Sequence, residues 1–263
     1  MCGIAGYSLG NGSRVDRVLA AQALLAGIAE RGADAAGYSF RAGAEIVVRK
    51  QQTGASALLD SIALPEATGE ALLHVRDFTK GRPTILANNH PIRHGHVVGI
   101  HNGIISNDDE LFARHALRRE EPEMTVDSEA IFALVDALGT SPETLGELVG
   151  AMAAGWLDER EPDVLHLARG IGRPLWIGRG RHEVLFASTR AALEVAEQAL
   201  RTTFLKSQVD EGRLLRIVDG AVVAETRWSP DRSFREDGSL PAVRAPNEGR
   251  SCLARLAALA SPA

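Results

Sequence analysis

Short apolar runs recur along this chain, each closed within a few residues by a turn or a polar stretch, and that punctuation limits the fold to one with many short strands. The runs occupy residues 3–9, 45–49, 71–75, 97–100, 150–157, 164–168, 174–177, 184–187, 214–218 and 221–225. The last two flank Asp219-Gly220, a dipeptide suited to a two-residue hairpin turn whose central positions need positive φ. Helical spacing is rarer. Val15, Val18, Leu19, Leu25 and Ile28 mark a helix over 14–30, with Ser13 as its N-cap and Gln22 interrupting its apolar face. A second helix covers 128–138 and closes at Gly139, and Ser141-Pro142 opens a short third with Pro at its first position. Two more are predicted over 189–201 and 250–260. Many antiparallel strands and few long helices predict an α+β chain in which helices cover two sheets.

Composition narrows the function. Hydrophobic residues make up 45% of 263 positions, enough for one large core or two small ones. The net charge of −5 offers no basic surface for nucleic acid. No apolar run reaches the ~18 residues of a membrane span, and the N-terminus does not read as a signal peptide. There are two cysteines, Cys2 and Cys252, and no C-x-x-C, which argues against a disulfide scaffold or a cysteine zinc site. The expectation is a cytoplasmic protein with neither nucleic-acid nor membrane partners, in a compartment that keeps a reactive thiol reduced. Residues 228–249, rich in Pro, Ser, Arg and Glu, read as a linker or a wrapped tail.

Cys2 is small enough for Met1 to be removed before it. That would set a thiol of pKa about 8.5 beside an α-amine of about 7.7–8.0, a matched pair for proton transfer near neutral pH. Taken alone, Cys2 also fits the start of a buried strand. Arg76 alone fits a surface charge, Asn102-Gly103 a turn, and Asp127 an N-cap for the helix beginning at Ser128. His90, His94, His96 and His101 raise the question of a metal site, although the region lacks a zinc motif.

In order along the chain stand Cys2-Gly3-Ile4, Arg31-Gly32-x-Asp34, Arg76-x-x-Thr79-x-Gly81, Asn89-x-Pro91, His101-Asn102-Gly103-Ile104-Ile105 and Asp127-Ser128-Glu129. Together they resemble the class-II glutamine amidotransferases, and within them the glutaminase domain of glucosamine-6-phosphate synthases. Arg173-Pro174-Leu175-Trp176-Ile177-Gly178, Phe186-Ala187-Ser188-Thr189 and the Asp219-Gly220 hairpin extend the likeness to about residue 226.

The resemblance implies an Ntn-hydrolase fold for residues 2–226, a four-layer αββα sandwich of two antiparallel sheets, followed over 227–263 by a linker-like tail and short helix. It implies hydrolysis of L-glutamine to glutamate and ammonia through a Cys2 thioester, with no metal or organic cofactor. Asn102 and the backbone N–H of Gly103 would form the oxyanion hole. Arg76 would hold the glutamine α-carboxylate and Asp127 the α-ammonium, with Thr79 and His90 also in the substrate-binding set. Because little chain follows the pattern, the ammonia is expected to go to a separate synthase subunit or to solvent. Two positions depart from the synthases, which carry an aromatic residue after the arginine and a histidine before the glycine. Here those positions are Asp77 and Lys80. They keep open an amide hydrolase with another substrate, and a non-catalytic glutamine-binding subunit.

Overall fold

The computed structural model describes residues 2–236 and 241–260. Its first half runs β1 (Gly3–Leu9), α1 (Arg17–Ile28), β2 (Ala35–Ala42), β3 (Glu45–Gln51), a single turn α2 (Ser56–Leu59), β4 (Glu70–Arg76), β5 (Ile92–His94), β6 (Val97–Ile105), α3 (Asp108–Arg114), α4 (Glu129–Leu138) and α5 (Pro142–Gly146). The second half adds β7 (Gly150–Asp158), β8 (Val164–Arg169), β9 (Trp176–Arg179), β10 (Glu183–Ala187), α6 (Arg190–Leu200), β11 (Leu205–Gln208), β12 (Arg213–Val218), β13 (Ala221–Arg227) and α7 (Pro246–Leu259). The strands form a seven-stranded sheet, β11-β9-β10-β1-β4-β2-β3, and a six-stranded one, β13-β12-β8-β7-β6-β5. Neighbouring strands within both sheets are antiparallel.

Three apolar interfaces separate four layers. Leu24, Leu25, Leu193 and Leu256 join the first sheet to α1, α6 and α7. Ile4, Ile100, Leu167 and Phe186 fill the space between the sheets. Phe132, Leu145 and Trp156 join the second sheet to α4 and α5. This is the αββα arrangement that the resemblance implies.

The period-2 alternation of strands decides which side chains meet between the sheets. On β1, Ala5, Tyr7 and Leu9 face the helices while Ile4 faces the second sheet. Cys2 shares the phase of Ile4. On β4, Leu73 and Val75 face the helices and Leu72 faces inward, so His74 and Arg76 follow Leu72. On β6, Val98 and Ile100 face inward, and Asn102 continues that series. The alternation thus aims Cys2, His74, Arg76 and Asn102 into the space between the sheets.

Several local expectations change. α1 begins at Arg17, and its N-cap is Asp16, whose carboxylate accepts the Leu19 N–H, whereas Ser13 bonds Val15. Gln22 sits on a buried face because its amide donates to the Leu59 carbonyl at 3.2 Å. β6 does not stop at Ile100 but runs through Asn102-Gly103 to Ile105, so this dipeptide is strand rather than turn. β2 and α3 were not expected. β2 is built largely of Ala, Gly and Ser, which carry little strand signal, and α3 is a short helix opening on three acidic residues, which suit a helix N-terminus but give no apolar periodicity. The stretch read as a linker or wrapped tail with a short helix does contain that helix, and it packs against the domain at both ends. Trp228 is buried, and α7 lies against α1, burying Cys252 and Leu256.

Candidate active site

Cys2 lies just before β1, where Gly3 pairs with Val75 of β4, so the end of β4 places Arg76 beside it. Its Sγ donates to the Asp77 carbonyl at 3.5 Å, and its own carbonyl accepts from Arg31 Nε at 2.9 Å. Gly32 follows, where an added Cβ would stand 2.4 Å from the Arg76 carbonyl, so only glycine lets the two segments approach this closely. Burial pushes the Cys2 thiol up and the Arg76 charge pulls against it. A buried thiol needs a base to become a nucleophile. The amine that would serve follows removal of Met1, a residue outside those described.

Cys2, Arg76, Thr79, Lys80, His90 and Gly103 are among the residues that line one cleft, with Phe78, His101 and the segment 126–128 completing its wall. Its free space is about 10 Å³, room for about one water and none for a glutamine. Of the expected site residues, only Asn102 is missing from that lining. Its side chain is fully buried, and neither amide atom has a hydrogen-bond partner among the described residues. An unpartnered buried amide costs ~1–3 kcal/mol, and its N–H remains free to bond an acceptor. Gly103 adopts φ +152, and a Cβ there would lie 1.8 Å from the Ala151 carbonyl, so no other residue fits.

Asp127 does not cap α4. Its Oδ2 accepts the Ile105 N–H at 2.7 Å, tying the start of α4 to the end of β6. Burial raises its pKa to about 6. The Arg76 guanidinium, 2% exposed, donates to Asn89 Oδ1 at 2.6 Å, to the Lys80 carbonyl at 2.8 Å, and to the carbonyls of Asn88 and Gly81. It therefore draws the segment 80–89 around itself.

Three histidines back this site. His74 Nε2 donates to the His101 carbonyl at 3.1 Å, which joins the sheets, and His101 Nδ1 lies 2.8 Å from Ser128 Oγ. Burial lowers the pKa of His74 and of His101 to about 3, and holds His90 well below its ordinary value. All three are neutral at physiological pH. His94 and His96 turn elsewhere, to Glu129 and Glu159. Among the described residues no group of three or more His, Cys, Asp or Glu could hold a metal ion, and no helix is long and apolar enough to cross a membrane. Sequence reasoning passed over His74, although it precedes Arg76 by two residues and so shares its strand face. It also passed over Asp108, which pairs with Lys80 of the cleft wall, and Arg244, which pairs with Asp77 beside it.

A family described as a glutamine amidotransferase domain matches residues 83–195. Glutamine–fructose-6-phosphate aminotransferase (isomerizing) of Bradyrhizobium diazoefficiens is 35% identical over 202 residues, covering 73% of this chain and 32% of its own length. The protein of the same name from Caulobacter vibrioides is 35% identical over 204 residues, with the same coverage. The chain thus spans about a third of the length of these curated relatives. Among solved structures, the glutamine phosphoribosylpyrophosphate amidotransferase of B. subtilis superposes with a TM-score of 0.70 at 22% identity, covering 88% of this chain and 50% of that one. A glutamine aminotransferase class-II domain protein from Silicibacter pomeroyi gives 0.56 at 17% identity, covering 87% of this chain and 100% of that one.

Proposed function

This chain belongs to the class-II glutamine amidotransferases, and on that premise we propose that it hydrolyses L-glutamine to glutamate and ammonia, with Cys2 as the nucleophile. The carrying observation is the convergence in one cleft of Cys2, Arg76, Gly103 and Asp127, drawn from both sheets and the start of α4. In the proposed reaction the Cys2 thiolate attacks the side-chain amide carbon and a tetrahedral oxyanion forms. The C–N bond breaks, ammonia leaves with the proton taken from the thiol, and water then hydrolyses the thioester. The unpartnered Asn102 amide and the Gly103 N–H are the donors assigned to the oxyanion, the buried Asp127 carboxylate to the α-ammonium, and Arg76 to the α-carboxylate. Thr79 and His90 shape the pocket. Arg76 donates to Asn88, Asn89, Lys80 and Gly81 through its Nη groups, so a bidentate grip on a carboxylate requires one of those partners to give way.

The curated relatives are named for transfer from glutamine to fructose 6-phosphate. For this chain we propose the donor half of such a reaction, with ammonia passed to a separate acceptor. A second reading, hydrolysis of a different amide, draws on the charged Lys80 in the cleft wall, where the synthases carry histidine. Both are tested by assaying carboxylate release from a panel of amides, using protein whose mass confirms a start at Cys2. Glutamine is expected to be the preferred substrate, and Cys2→Ala to abolish turnover while keeping glutamine binding. Equal turnover by Cys2→Ala, or full activity with Met1 retained, would overturn the mechanism.

A further inference from the structure

The two positions that depart from the synthase pattern are both tied down by charge, each to a different element. Asp77 Oδ2 meets Arg244 Nε at 3.1 Å. Arg244 belongs to the segment leading into α7, and that segment is itself anchored, since the backbone N–H groups of Arg244 and Ala245 both donate to the Glu30 carbonyl at 2.9 and 2.8 Å. Glu30 lies directly before Arg31, whose guanidinium holds the Cys2 carbonyl. Three residues from Asp77, Lys80 Nζ sits 2.8 and 2.6 Å from the two carboxylate oxygens of Asp108, the first residue of α3. Asp108 is 2% exposed and is fixed in turn by Arg119 at 3.0 Å. Between these two pairs lie Phe78 and Thr79, which wall the cleft over Cys2.

We propose that Asp77–Arg244 and Lys80–Asp108 form a two-point latch on the loop 77–81, and that Arg244 and Asp108 are positioning residues controlling access to Cys2. The inference deepens the reading of this cleft as the glutamine site, whose free space admits nothing the size of glutamine until a wall moves. Arg76 grips the far side of the same loop, and the Asp77 carbonyl touches the nucleophile. Loop 77–81 is therefore the wall whose displacement would uncover Sγ. The latch also gives the C-terminal segment a task, because it brings Arg244 to a loop more than 160 residues earlier. Because the closed cleft admits no glutamine, ion pairing that favours the closed loop lowers the population of the open, binding-competent state, and the frequency of opening reads it directly.

The two cysteines make the test. Iodoacetamide alkylation of Cys2 in glutamine-free protein reads opening of the loop, and alkylation of the fully buried Cys252 reads loosening of α7 or of the whole fold. Arg244→Asp and Asp77→Arg should each speed Cys2 alkylation, and hydrogen exchange of the amides over 77–81, by up to about fivefold, the size of an exposed ion pair. The double variant Arg244→Asp with Asp77→Arg should return both rates toward wild type, and Lys80→Met should act like the single changes. Cys252 should keep its wild-type rate throughout. If Arg244→Asp fails to fold, Arg244→Gln, which keeps the backbone bond to Glu30, replaces it. The latch is overturned if the single changes leave both rates unaltered, if the charge-swapped double does not recover, or if Cys252 accelerates as much as Cys2. None of these readouts needs turnover, so a protein inactive on glutamine yet gated in this way would sink the proposed reaction and spare the latch.

Discussion

The rings of His74 and His90 lie face to face, with 4.1 Å between centroids and 18° between planes. Two imidazoles so close and so deeply buried must both stay neutral, and His101 adds a third. In the unfolded chain each titrates near 6.5. Folding holds His74 and His101 at about 3 and His90 well below the ordinary value, so the unfolded state binds more protons throughout the range between. Stability from these groups is complete above about pH 6.5 and is lost as pH falls, by up to about 1.4 kcal/mol per pH unit for each imidazole. Asp127, with its raised pKa, opposes this between about pH 6 and 4, but as one group against three. Thermal melts at pH 7.5, 6 and 5 should show a steep fall of Tm below 6.5. A flat Tm over that range would contradict the burial of these rings.

Asp127 carries the opposite sign. Its folded pKa of about 6 exceeds the unfolded value near 3.9, so ionising it costs stability as pH rises through that interval. Asp127→Asn keeps an oxygen for the Ile105 N–H and removes the buried charge. It should stabilise the fold by up to about 3 kcal/mol above pH 6, and the gain should vanish as pH falls toward 4. The same variant should raise KM for glutamine more than it lowers kcat, because the α-ammonium keeps its charge through the reaction. In the wild type, kcat/KM should decline as pH falls below about 6. Denaturant melts and steady-state kinetics across pH check both signs; a variant no more stable at pH 8 than at pH 4 would refute the first.

Asn102 should fail differently. The oxyanion it is assigned to carries full charge only as the thioester forms and breaks, so its loss belongs in kcat. Asn102→Ala should lower kcat by about 10²–10³-fold with little change in KM. Because the amide has no partner among the described residues, its removal should leave Tm near wild type or above it. A change confined to KM, or a large drop in Tm, would show that the amide serves substrate binding or packing instead.

Truncation after Thr226 looks harmless from the sequence, since the residues beyond lie outside the family likeness. The contacts of that segment predict otherwise. Removing them uncovers α1 beneath α7 and deletes Trp228. It also takes away Glu236, which pairs with the buried Arg173 guanidinium at 2.6 and 2.8 Å. A cation stranded in this way, together with lost apolar cover, should cost on the order of 3 kcal/mol or more. Expression and melting of the truncated chain decide the matter: a soluble form with wild-type Tm would return the segment to the role of a dispensable tail.

The sequence by itself determined the strand-rich α+β class, the ends of β1, β7 and β10 to within a residue, and the motif residues of the cleft. The class and the strand ends are legible because local chemistry is enough for them, in apolar runs of strand length and turn dipeptides; the motif residues were legible only through the resemblance to the family. Tertiary structure decided what each polar residue is bonded to. Asn102-Gly103 reads locally as a turn, yet pairing with Ala153 and Met152 of β7 holds it in a strand, since sheet hydrogen bonds outweigh a dipeptide preference. Asp127 reads as a helix cap, yet it reaches the end of β6. His74 shares the strand face of Arg76 by spacing, but its partner, the His101 carbonyl, is supplied by the second sheet. Asp77 and Lys80 read only as departures from a pattern. Their partners, Arg244 and Asp108, come from elsewhere in the chain, and an ion pair formed across such distances leaves no trace in the local sequence.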